Sequence, residues 1–298
     1  MGRLFGWLAG RSLRGLHALG AVLGWLAWLL SRRYRRLLRT NAGRAGLSAA
    51  QRRAAVAEAG KLVAEVPWLW VGAASQPISR HVQWQGEALV DELLAAGRGL
   101  LLLTPHLGSF EVCGQAYAER WGARYPATVL YRPARQPWLR EFEQHSRQRP
   151  GLAMAPTTLA GVRQMLRALR RGEVVGLLPD QVPPAGQGVW APFFGEPAYT
   201  MTLAARLLRQ TGAPAAVMWA RRLPRGAGFC VQVLPLPVSL PPREGAAASA
   251  GGADAEAAEV ADASAINAAM AAVIGLAPEQ YLWGYDRYKQ PRRGPHRG

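Results

Sequence analysis

The sequence predicts an α/β fold: a mostly parallel central sheet with helices on both faces, preceded by an N-terminal membrane-attaching helix. Three observations lead there. From Pro77 onward, apolar runs of strand length alternate with helix-length stretches, the pattern of successive βα units. Half of the 298 residues are apolar, enough to fill a large core. Residues 16–30 form a nearly unbroken apolar run bracketed by arginines.

That run carries Trp25 and Trp28, follows Arg3, Arg11 and Arg14, and precedes Arg32, Arg33, Arg35, Arg36 and Arg39. As a helix it reaches about 22 Å, against a hydrocarbon core of about 30 Å. It is therefore either a short tilted span or a deep interfacial helix, and its length leaves a buried core helix open. No small-x-small cleavage site follows it, which argues against a signal peptide. The heavier downstream charge places the rest of the chain in the cytoplasm. Residues 1–40 are assigned to this anchor and residues 41–298 to a single domain.

Ser48 and Gln51 make a capping box for a helix that runs to about Leu69. Next come a strand over 81–85, a helix over 87–96 closed by Gly97, and a fully buried strand over 100–103. Ser109 caps a helix to about Trp121, and strands over 127–131, 152–155 and 174–178 alternate with helices over 138–147 and 159–171. A loop containing Pro183, Pro184, Gly186 and Gly188 leads to a helix over 201–210 and strands over 215–219 and 229–234. Residues 241–255 are proline-, glycine- and alanine-rich and are expected to be a flexible excursion before a last helix that ends near Ile274.

The net charge of +17 is almost wholly arginine, since Lys61 and Lys289 are the only lysines among 36 basic residues. It favours an anionic partner: nucleic acid, an anionic membrane surface, or an acidic protein or phosphorylated substrate. Cys113 and Cys230 are too few for a disulfide framework and lack metal-site spacing. There is no G-x-S-x-G elbow, phosphate-binding glycine loop or H-E-x-x-H pair, so serine catalysis, nucleotide hydrolysis and zinc chemistry have no local support.

Chemistry centres on His106, which leaves the buried strand over 100–103, and Glu111, five positions later in the first turn of the next helix. Open α/β sheets gather reactive groups at the carboxyl ends of their strands. A carboxylate placed there can hydrogen-bond one imidazole nitrogen, fix the tautomer and raise the basicity of the other nitrogen, which then accepts a proton from an incoming hydroxyl. Taken alone, a histidine at such a position is more often structural.

The wording around it changes the balance. Leu103-Thr-Pro-His106-Leu-Gly108-Ser-Phe-Glu111 resembles the His-x4-Asp/Glu motif of the glycerolipid acyltransferase superfamily. More narrowly it is similar to the late acyltransferases of lipid A biosynthesis, the lauroyl and myristoyl transferases, which usually read His-Phe-Gly-Asn-Trp-Glu. Leu107, Ser109 and Phe110 are departures. Asn41, Glu65, Gly86-Glu87, Tyr131-Arg132-Pro133, Pro179-Asp180-Gln181, Pro192-Phe193-Phe194-Gly195 and Pro278-Glu279-Gln280-Tyr281-Leu282-Trp283 extend the resemblance over most of the chain. Gly284-Tyr285-Asp286-Arg287 stands where the family commonly has His-Arg-Arg.

The resemblance implies an inner-membrane O-acyltransferase on the cytoplasmic side. Its donor would be an acyl carrier protein thioester and its acceptor a hydroxyl of a lipid A precursor, with no metal or cofactor beyond the thioester. His106 would be the base and Glu111 its orienting carboxylate. Arg132 would bind a head-group phosphate, Asp180 would orient Arg132 or the acceptor, and Gln181, Phe193, Phe194 and Gly195 would contact substrate. Tyr281 and Trp283 are read as structural. The anionic membrane surface is the expected partner for the basic charge, and nucleic acid is not. A lysophospholipid or other glycolipid acceptor, and a basic binding protein without turnover, are the alternatives.

Overall fold

The computed structural model of the chain describes residues 2–71, 77–131, 149–242 and 252–292. Four helices open it: α1 (Gly2–Ala9), α2 (Leu13–Leu30), α3 (Arg32–Arg44) and α4 (Ala49–Trp70). The α/β unit follows as β1 (Val82–Gln85), α5 (Ala88–Ala95), β2 (Leu100–Leu103), α6 (Phe110–Trp121), β3 (Ala127–Tyr131), β4 (Leu152–Pro156), α7 (Leu159–Arg170) and β5 (Val174–Leu177). It closes with β6 (Gly188–Phe193), β7 (Glu196–Met201), α8 (Leu203–Thr211), β8 (Ala215–Arg222), β9 (Phe229–Pro235) and α9 (Ala253–Ile274). The expected helix over 138–147, most of the 241–255 excursion, and Arg132 lie outside the described residues.

Seven strands form the central sheet in the order β1-β9-β8-β2-β5-β3-β4, and every neighbouring pair is parallel except β8–β9. Because side chains alternate along a strand, Leu101 and Leu103 of β2 join one apolar cluster with α7, α8 and α9, while Leu100 and Leu102 join a second with α6. Burial on both faces is why β2 reads as an unbroken leucine run.

Two elements differ from expectation. The stretch read as a loop over 183–188 leads into an antiparallel hairpin, β6–β7, in which Pro192 stands opposite Pro197. Prolines break the ordinary strand signal but are tolerated in a two-stranded ribbon, where each strand is an edge. The basic segment after the apolar run is helix α3, whose Leu38, Asn41 and Ala42 turn inward. The Asn41 side chain donates to the carbonyls of Trp283 (3.0 Å) and Tyr285 (2.8 Å), tying the third helix to the C-terminal segment. The capping box at Ser48 is formed in both directions.

Candidate active site

β2 and β5 are adjacent and parallel, with Leu103 opposite Leu177. His106 and Asp180 each lie three residues beyond those paired ends, and shared register brings them together. The Asp180 carboxylate accepts from the backbone N–H of His106 at 2.9 Å through Oδ2 and meets imidazole Nδ1 at 2.7 Å through Oδ1. Asp180 is fully buried. Burial alone pushes its carboxyl upward, but the His106 charge and the hydrogen bonds from His106 and from the Tyr281 hydroxyl outweigh it and hold Asp180 below its ordinary value. An ionised Asp180 makes Nδ1 the protonated nitrogen and leaves Nε2 as the basic end.

Asp180 thus takes the Nδ1 position that the sequence offered to Glu111. Glu111 sits in the first turn of α6, and its Oε2 accepts from the Trp70 indole N–H at 3.5 Å. The carboxylate that meets imidazole Nδ1 is Asp180, from the neighbouring strand. His106 packs its ring edge-on against Phe110 at 4.8 Å between centroids.

The turn between β2 and α6 is fixed from three directions. Gly108 has φ +60, and a Cβ there would come within 2.0 Å of the Ala220 carbonyl oxygen, so the position accepts only glycine. The amides of Gly108 and Ser109 donate to the carbonyls of Gln280 (3.0 Å) and Ala220 (2.8 Å). The Gly108 carbonyl accepts from Arg222 Nη2 at 2.7 Å. Arg222, at the end of β8, is 4% exposed and grips Glu65 of α4 through Nε (3.0 Å) and Nη2 (2.9 Å). Glu65 also meets His17 Nε2 of α2 at 3.2 Å. Burial opposes the charge on Glu65, but Arg222 and His17 outweigh it and keep this carboxyl below its ordinary value. Sequence reasoning missed Arg222, whose only trace was an arginine ending an apolar strand. Tyr281, read as structural, supports Asp180 through its hydroxyl.

A cleft of about 760 Å³ opens beside His106, within the size range of small-ligand sites. His106, Phe110 and Glu111 line it, and so do Tyr117 of α6 and Ala127 and Val174 of the sheet. Ala127 and Val174 begin β3 and β5, so the arm between α6 and the sheet follows the strands for about 13 Å. A second set of walls comes from Val162 and Leu166 of α7 and Leu203 and Leu207 of α8, which pack on the other face. Most of the lining is apolar. Gln181 also lines the cleft.

Phe193, Phe194 and Gly195 are placed elsewhere. They make the β6–β7 turn, with Phe194 at φ +48 and Gly195 at φ +79, and Phe194 packs on Trp283 at 5.5 Å. They are not among the residues lining the cleft; the tight turn points their rings into the core beside the C-terminal segment. Arg287 lies over the Phe193 ring at 5.0 Å and donates to the Tyr199 carbonyl and the Thr200 hydroxyl. The segment that departs from the His-Arg-Arg wording thus pins this hairpin.

The family model described as bacterial lipid A biosynthesis acyltransferase matches residues 12–290. The chain belongs to that family. Among curated relatives it is similar to the lipid A biosynthesis lauroyltransferase of Escherichia coli strain K12, 28% identical over 76% of this chain and 67% of the relative. The palmitoleoyltransferase of the same strain is 26% identical over 74% of this chain and 65% of the relative. A lipid A biosynthesis acyltransferase of Haemophilus influenzae is 24% identical over 68% and 59%. The chain spans about two thirds of the length of these relatives.

Proposed function

We propose that this chain transfers a fatty acyl group from an acyl carrier protein thioester to a hydroxyl of a lipid A precursor, at the cytoplasmic face of a bacterial inner membrane. The observation that carries this reading is the half-buried His106, held by the buried Asp180 and lining the apolar cleft. His106 Nε2 takes the acceptor hydroxyl's proton while the oxygen attacks the thioester carbonyl. Collapse of the tetrahedral adduct expels the carrier's thiolate, which takes that proton back from the imidazolium. Asp180 holds the tautomer, and both Asp180 and Glu111 favour the transient imidazolium. The amides of Gly108 and Ser109 are already engaged, so the first turn of α6, beginning at Phe110, is the candidate oxyanion donor.

The arm between α6 and the sheet, with Tyr117 in its wall, suits the donor's acyl chain. Gln181 contacts the acceptor, and Arg132, next in sequence after the cleft residue Tyr131, binds its phosphate. The chemistry asks for no metal or cofactor beyond the thioester. The basic surface suits both the acidic carrier and the phosphorylated lipid. The test is a His106→Ala variant given acyl carrier thioester and lipid A precursor: transfer should fall by at least about a hundredfold, and transfer within a few-fold of wild type would exclude His106 as the base.

A further inference from the structure

Helix α2 has two unlike faces. Leu13, Leu16, His17, Gly20 and Gly24 are buried, and His17, Gly20 and Gly24 meet Glu65, Gly60 and Val56 of α4 in antiparallel order. A Cβ on Gly20 would come within 2.7 Å of the Gly60 carbonyl and the Lys61 backbone, and one on Gly24 within 2.3 Å of the Val56 carbonyl, so the two backbones are in close contact. On the opposite face Ala18, Leu19, Val22, Leu23, Leu26, Ala27, Leu29 and Leu30 are exposed, a helical stripe without one polar side chain. Leu30 is 83% and Leu29 and Val22 are each 57% exposed. An apolar stripe of this length is a contact surface.

Both ends of α2 rest on the same body. At its start, Leu13 belongs to the α6-side core, and Gly226 in the β8–β9 turn sits against the Arg14 backbone. At its end, Trp25 and Trp28 pack on the other core, and Ser31 turns the chain directly into α3, whose Leu38 is in that core. A helix crossing a bilayer separates its ends by the membrane's thickness. Here a crossing would also draw the Glu58–Lys61 pair and the Glu65–Arg222 pair, which flank α2 along α4, into hydrocarbon.

We infer that α2 lies flat in the bilayer interface, seating the Leu19–Val22–Leu23–Leu26–Leu30 stripe in the acyl chains of an anionic leaflet without crossing it. Charge supports this occupant. Eleven arginines precede Glu58, the first acidic residue of the chain, and Arg11, Arg14, Arg32, Arg33, Arg36 and Arg39 are exposed at the two ends of the stripe, where anionic head groups would lie. Trp7, exposed on α1, adds an interfacial anchor. The inference rests on the membrane part of the function proposed above.

The test uses the full chain on vesicles of phosphatidylethanolamine with phosphatidylglycerol. Spin labels are placed singly at Leu19→Cys, Leu23→Cys, Leu26→Cys and Leu30→Cys, with Arg53→Cys on α4 as reference; Cys113 and Cys230 are buried. Depth is read from oxygen against nickel-chelate accessibility. An in-plane helix gives one shallow depth for all four sites and an aqueous Arg53 site. A profile deepest near Leu23 and shallow at both ends, whose outer labels lie about 16 Å apart along the helix axis, is a crossing and overturns the inference. So do four sites that stay in water, or four sites shielded from both reagents without vesicles, which would mean a dimer of this chain. Acyl transfer measured on the same variants in detergent separates the two claims: lost transfer with a uniform depth sinks the function alone, and retained transfer with a crossing profile sinks the in-plane helix alone.

Discussion

Asp180 Oδ1 lies 2.7 Å from His106 Nδ1 although 74 residues separate them in the chain. Each follows the end of one of two strands held in register, so the distance between imidazole and carboxylate is set by the sheet. A dyad built this way should depend on the carboxylate's charge more than on its shape. Asp180→Asn keeps the size but can present an amide N–H to Nδ1, favouring the wrong tautomer. We expect kcat to fall by about a hundredfold or more with KM little changed, checked by steady-state transfer assays.

Asp180 and Glu65 should also shape acid stability. Both have folded-state pKa values below their ordinary ones. Their stabilisation is therefore fully present above the unfolded carboxylate range of about 4 and is lost as pH falls through the lower folded values. Denaturant melts from neutral to strongly acid pH should show a steep acid limb for wild type and a shallower one for Asp180→Asn and for Glu65→Gln.

Removing the charge of Glu65 leaves Arg222 buried with its main partner gone. Glu65→Gln should cost about 3–5 kcal/mol, measured by chemical denaturation. Arg222→Lys keeps the charge but loses the forked contact that reaches Glu65 and the Gly108 carbonyl together. It should lower kcat more than it lowers stability.

Gly108→Ala should be far worse than an ordinary glycine replacement. The new methyl group would meet the Ala220 carbonyl and adopt a left-handed backbone, moving the turn that carries His106. Transfer should fall by at least about tenfold even where the variant folds, and circular dichroism alongside the assay separates the two effects.

Tyr117 lines the α6 arm and is held in place by its hydroxyl, which donates to the Tyr125 carbonyl at 2.8 Å. Tyr117→Ala should lengthen the arm at a stability cost of about 3 kcal/mol. Competition between lauroyl and palmitoyl carrier thioesters is the check: the ratio should move toward palmitoyl, and an unchanged ratio would place the acyl chain elsewhere.

Much of this was readable along the chain. The leucine run over 100–103, the Ser48 capping box and the alternation of short apolar runs with longer helices are local patterns, and the sheet and most helices follow from them. The position of His106 was legible because it leaves a buried strand within a His-x4-Glu motif. Its partner was not. Glu111 is near in sequence, and spacing alone favours it, whereas Asp180 becomes a neighbour only once β2 and β5 pair. The β6–β7 hairpin was hidden because Pro192 and Pro197 erase the strand signal.

The sequence by itself determined the α/β alternation, the apolar α2 with its arginine flanks, and the placing of an imidazole at a strand's carboxyl end, because each depends on residues within a turn or a strand of one another. Only the tertiary structure decided that Asp180 holds that imidazole, that Arg222 and Glu65 brace the Gly108 turn, and that both ends of α2 rest on one side of the body. Those contacts join residues tens to more than a hundred positions apart, and they exist only after packing has paid the entropy of bringing distant segments together.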